Sequence, residues 1–158
     1  MKRPLAPLAA LLLSSALVTA LPAPVRAGSP EPSTVVSPAD LQKVLGGKWT
    51  ARSPEPGVLI CEETDGYRVV NVYLSPANGK SVAEFVPAYR EQGETVDEVS
   101  GVGDAAMYRP QYGEATAEKM DARSGELLWL SVSVHNVDDP AARKKLAVEL
   151  VKLAVGKL

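Results

Sequence analysis

Between Glu126 and Asn136 the sequence alternates without a break: Leu128, Leu130, Val132 and Val134 fall on one side of an extended chain, and Trp129, Ser131, Ser133 and His135 on the other. Successive side chains of a strand point to opposite faces, so this segment predicts a strand with one apolar and one polar face. Such one-sided strands belong to antiparallel sheets; strands of parallel sheets, covered on both faces, read as continuous apolar runs. Any fold for this chain must therefore bury the Leu/Val side of 126–136 and leave its other side a different environment.

The rest of the chain fits around that strand. Arg123-Ser124-Gly125 supplies a turn before it, making 115–136 a hairpin. Further strands are predicted at 48–52, 58–64, 67–74, 94–99 and 105–109, with Asp65-Gly66 as a tight hairpin turn between the second and third. Ser37-Pro38-Ala39-Asp40 opens a short helix that Gly46-Gly47 ends, a second helix runs from about Ser81 to Gln92 with a doubt at Pro87, and Asp138-Asp139-Pro140 opens the last. Strands come in runs rather than alternating with helices. The predicted class is α+β: a single antiparallel sheet of about six or seven strands with helices packed on it, and strands-then-helix order in both halves.

The first 27 of the 158 residues read as an export leader. Met1-Lys2-Arg3 is a positive start, Leu8 to Leu21 is apolar, and Val25-Arg26-Ala27 ends in a small residue, which predicts cleavage after Ala27, with Ala23 as the second site. A retained N-terminal anchor is the other reading, since the almost uncharged stretch from Pro4 to Val25 is long enough to cross a bilayer. Residues 28–36, rich in Pro and Ser, read as a tether, and the domain is expected over 37–158. No cysteine stands at the end of the apolar segment to take a lipid. The expected product carries no stable membrane anchor after cleavage and is periplasmic or secreted. Without Lys2, Arg3 and Arg26 the net charge moves from −2 to −5, which argues against nucleic acid as a partner. Arg143-Lys144-Lys145 is the one basic cluster and reads as a solvated helix face.

Few residues offer chemistry. Cys61 is the only thiol and lies in the apolar run Val58-Leu59-Ile60, where a cysteine behaves as a small buried hydrophobe; an intermolecular disulfide is the alternative. His135 is the only histidine and falls on the polar side of its strand, beside Ser131 and Ser133, so exposure to solvent is expected. Any thiol-dependent site must pair these two. One His and one Cys offer no zinc spacing, no calcium loop occurs, and no cofactor motif is present. Asp138-Asp139 reads as a helix cap. Gly101-Val102-Gly103-Asp104 leads into a strand rather than a helix, so it reads as a tight loop in which Asp104 caps free amides, not as a phosphate cradle. The Tyr and Trp residues are few for a carbohydrate platform. Tyr108, Arg109, Gln111 and Tyr112 form the best candidate for an exposed contact loop.

Several of these pieces occur together: the leader, the Pro/Ser tether, Ser37-Pro38-Ala39-Asp40-Leu41-Gln42-Lys43-Val44-Leu45-Gly46-Gly47, the strand cysteine Cys61 and the turn Gly101-Val102-Gly103-Asp104-Ala105-Ala106. Over about 37–156 the chain resembles small exported bacterial domains of unknown function, especially those of actinobacterial lipoproteins. The resemblance implies an opening helix ending in Leu-Gly and the same order of strand cysteine and turn; it brings no catalytic residues. The chain departs from that pattern in lacking a lipid-modified cysteine and a second cysteine to pair with Cys61. The expected function is a noncatalytic module of the cell envelope that binds a small ligand or an envelope protein. A thiol-dependent enzyme or redox protein using Cys61 with His135, and a structural accessory subunit of an envelope complex, are the rivals.

Overall fold

The structure, a computed structural model, describes residues 30–158. The leader and its cleavage sites lie outside the described residues. Four helices and seven strands follow in the order α1 (Pro32–Val35), α2 (Pro38–Leu45), β1 (Trp49–Arg52), β2 (Val58–Glu63), β3 (Val69–Pro76), α3 (Val82–Glu91), β4 (Asp97–Glu98), β5 (Ala105–Arg109), β6 (Glu114–Met120), β7 (Leu127–His135) and α4 (Pro140–Val155). The strands make one antiparallel sheet in the order β1-β2-β3-β7-β6-β5-β4. The chain lays down a three-stranded meander, crosses by α3 to the far edge, and returns strand by strand until β7 pairs with β3. The α+β class and the antiparallel sheet read from the sequence are what the fold shows.

The alternation of β7 carries through the sheet by register. Val132 stands opposite Val72 on one side and Ala115 on the other; Val134 stands opposite Val70, which in turn faces Cys61. These residues, with Leu41, Leu59, Leu128, Leu130, Leu150 and Val151, form the main core between the sheet and the helices α1, α2 and α4. Each core Leu or Val removed from water contributes roughly 1.5 to 3 kcal/mol before ordering costs.

Local chemistry sets the helix starts. Ser37 and Asp40 bond reciprocally in a capping box, as do Ser81 and Glu84, and Asp139 accepts the amides of Ala141 and Ala142. Helix α3 continues through Pro87, which only forgoes the bond its amide would make one turn back. The predicted tether is corrected in its described part: Pro32–Val35 form a helical turn, and Val35 and Val36 are fully buried in the main core. The domain therefore begins before Ser37. The predicted strand at 94–99 shrinks to the two paired residues of β4.

The β2–β3 connection is also longer than the expected two-residue turn. Gly66 stays out of the left-handed region; a Cβ there would strike the Glu63 carboxylate, which turns back to accept from Nε and Nη2 of Arg68. Arg68 also donates to the Leu45 carbonyl and stacks over Trp49, so the hairpin tip is fastened to the end of α2. At the Gly101–Ala106 loop the expected turn is present. Gly103 has φ 60°, a Cβ on it would lie 2.2 Å from the Glu118 carbonyl, and the Asp104 carboxylate accepts the Met120 amide at 2.8 Å.

Candidate functional site

The second face of the sheet is only half covered. Helix α3 packs Val82 and Val86 over Met107, with Val96, Tyr89 and Trp129 around them, and Phe85 meets Trp129 edge-on with ring centres 4.9 Å apart. Its start is fixed by Glu118, which is 6% exposed: the carboxylate accepts the Val82 amide at 2.5 Å and the Ser81 hydroxyl at 2.8 Å. Beside α3, towards β3, the face lies open. Two adjoining depressions of about 300 Å³ each occupy it. One is lined by Tyr89, Met107, Arg109, Thr116, Trp129 and Ser131, the other by Asn71, Gln111, Tyr112, Ser133, His135 and Arg143; Tyr73 and Glu114 border both.

The polar groups here form an ordered network. Thr116 donates its hydroxyl hydrogen to Glu114 at 3.1 Å and lies 2.8 Å from the Ser131 oxygen. A hydroxyl has one hydrogen, so Ser131 donates to Thr116 and keeps its lone pairs free. Glu114 also receives Arg109 Nη2 at 2.8 Å, and Arg109 Nη1 faces Glu94 at 3.5 Å. The Arg109 guanidinium sits between the rings of Tyr89 and Tyr112, 4.7 and 4.6 Å from their centres. Burial works against its charge, but the bond to Glu114 and the neighbouring Tyr89 and Glu94 outweigh it and hold the proton more firmly. Arg109 thereby ties together α3, the 3₁₀ turn Pro110–Tyr112 and β6.

His135 is half-buried rather than exposed as expected. The Asn71 Nδ2 amide lies 3.2 Å and the Ser133 hydroxyl 3.0 Å from its Nε2. An amide nitrogen only donates, so with this side-chain orientation Nε2 is the acceptor and the ring hydrogen is on Nδ1. Among the described residues no hydrogen bond orients Nδ1. Both neighbours of Ser133 on the sheet are paired strands, which engage the backbone amides that an oxyanion site would need.

The fold separates several residues singled out by sequence. Cys61 is opposite Val70, which is in turn opposite Val134, on the helix-packed face, whereas His135 is opposite Val69 on the other, so the sheet itself stands between the thiol and the imidazole. Burial pushes the Cys61 thiol up to about 11, away from thiolate chemistry. The contact loop is also divided. Tyr108, expected to be exposed, is 2% exposed and packed into the main core, because β5 alternation turns it towards α4. Arg109 is the clamp just described; Gln111 donates to Glu94 at 2.7 Å, and Tyr112 is 48% exposed at the rim. The basic cluster is solvated in part: Lys145 is exposed and Lys144 pairs with Asp97 at the surface at 2.7 Å, while Arg143 turns in to the Pro110 carbonyl.

Sequence reasoning missed Asn71, Tyr73, Glu114, Thr116, Ser131 and Ser133 as members of one site. The signal lay in parity: the polar sides of β3 and β7 carry Tyr73 and Trp129 among amide and hydroxyl residues, an odd composition for a plain solvent face. A second sign is energetic. Trp129 Nε1 and Arg109 Nε are buried beside the same depression and lack an acceptor among the described residues, each a cost of about 1 to 3 kcal/mol that packing for stability alone would remove. Among the described residues no cluster of His, Cys, Asp and Glu is placed to hold a metal ion, and no helix is long and apolar enough to cross a membrane. No family model, curated protein or solved structure matches this chain.

Proposed function

We propose that the protein is an exported, noncatalytic binding module of the cell envelope, and that it takes its ligand on the open half of the sheet, beside α3. The observation that carries this reading is the pair of adjoining depressions there, floored by the central strands of the sheet and lined by partly exposed tyrosine, amide and hydroxyl groups. Ligand sites combine that kind of concavity with a few placed polar groups, usually within about 300 to 1,000 Å³. Export rests on the leader. The noncatalytic reading rests on what the geometry pairs and what it keeps apart: Cys61 and His135 face opposite ways, and the Ser133–His135 contact has neither an orienting partner at Nδ1 among the described residues nor free amides beside it. An accessory subunit would instead dock a protein partner on the same face.

A blocking variant tests the reading. Ser131→Trp fills one depression from its floor while the main core, on the other side of β7, is untouched. A small-molecule fraction of envelope extract is expected to raise the melting temperature of the wild-type protein, as any ligand of the native state must. The variant is expected to fold and to show no such rise. An equal rise in Ser131→Trp, or none in the wild type, would contradict the assignment.

A further inference from the structure

We infer that the ligand of this face is a neutral saccharide of about two rings, an inference that rests on the binding reading above and names its chemical class. Sequence composition makes aromatic residues scarce, yet the fold gathers five of the eight here: Tyr73, Phe85, Tyr89, Tyr112 and Trp129. Most of them have other work, since Tyr89 and Tyr112 hold Arg109 between them and Phe85 packs on Trp129. Tyr73 stands out because it projects from the middle of β3 between the two depressions and is 44% exposed. Its π face carries negative potential, to which the polarised C–H bonds on the flat side of a pyranose ring are complementary.

The perimeter has the matching polarity. Ser131 presents unused lone pairs, and Asn71, Gln111 and Glu114 border the same space with amide and carboxylate groups that suit vicinal hydroxyls. Charge points the same way. The charges around the face cancel in number, Arg109 and Arg143 against Glu94 and Glu114, with Arg109 bound to both carboxylates and Arg143 donating to the Pro110 carbonyl at 3.2 Å, so no net charge favours an anionic or a cationic ligand. An apolar ligand would strand this ring of hydroxyls and amides without partners. Two depressions sharing one tyrosine fit two linked rings, one on each side of Tyr73.

The test is a titration of the purified protein with neutral disaccharides (N,N′-diacetylchitobiose, cellobiose, xylobiose and maltose), followed by amide and indole NMR signals, with adenosine as a planar aromatic comparison. At least one disaccharide is expected to shift the Trp129 indole and the amides of Asn71, Ser131 and Ser133. Its affinity should hold within about twofold from low to high salt, because no net charge is engaged. Tyr73→Ala should weaken it about tenfold or more without lowering the melting temperature, since stacking is lost from an exposed position. No shift with any disaccharide overturns the saccharide assignment. If adenosine alone shifts the same signals, the binding face stands and only its ligand class falls. If nothing shifts them, and Ser131→Trp responds to envelope extract as the wild type does, both fall.

Discussion

Asp40 shows how single residues couple this fold to its surroundings. Its carboxylate accepts the Ser37 amide and hydroxyl and the ammonium of Lys157, fastening the last residues to the start of α2. Burial raises its pKa, but the bonds from Lys157 and Ser37 prevail and hold it below the usual carboxylate value. A carboxyl whose pKa is lowered by folding contributes stability that is complete above its unfolded value of about 3.9 and fades as the pH falls through the folded one. Asp40→Asn is therefore expected to unfold more readily than the wild type at pH 7, by about 1 kcal/mol or less given solvent screening, with the gap closing below about pH 4. Urea unfolding across pH checks it; a gap that widens in acid would refute the assignment. Gly103→Ala tests the loop. It combines a positive φ with a backbone collision at Glu118, so a loss of about 2 kcal/mol or more is expected from denaturation. This loop was legible from its residues, as was burial of Cys61. Tyr108 was not: β5 reads Ala-Ala-Met-Tyr-Arg, and such mixed alternation does not say which side is apolar.

Among the elements, α3 decides how much of the second face is covered. Its apolar contact is small, and the carboxylate of Glu118 on β6 supplies the bond that sets where the helix begins. Glu118→Ala leaves the Val82 amide and the Ser81 hydroxyl without their partner in a buried place, which is expected to cost about 2 to 3 kcal/mol. It should also loosen Phe85 from Trp129 and shift the tryptophan emission to the red. Glu118→Gln, which keeps an acceptor oxygen, should lose less. A change within about 0.5 kcal/mol for the alanine variant would mean that the helix is held by packing alone. The longer elements were legible because they repeat a period often enough: β7 spans nine residues and α4 sixteen. The turn α1 has four residues, too few for any period to show, and its Pro and Ser content resembles a linker. β4 failed for the converse reason, since most of 94–99 serves as a connection.

On the scale of the molecule, one sheet separates two kinds of interior. The helix-packed face is apolar from Cys61 across Val70 and Val134, while the other face turns from an apolar patch under α3 to an open aromatic and polar surface beside it. Sequence parity assigns each residue a side within its own strand, but it does not tell which sides of different strands coincide. Register supplies that, and it both parts Cys61 from His135 and joins Asn71, Tyr73, Thr116, Ser131 and Ser133 in one site. The fold thus divides the candidate contact loop: Gln111 and Tyr112 border the open face, Arg109 braces it, and Tyr108 belongs to the core. The central claim is that this open half of the sheet is the working surface. The most direct measurement is an amide-resolved chemical-shift map of the purified protein against the small-molecule fraction of envelope extract. The account predicts shifts concentrated at residues 71, 73, 114, 116, 131 and 133, and none along the outer side of α4; shifts confined to other surfaces, or absent altogether, would contradict it.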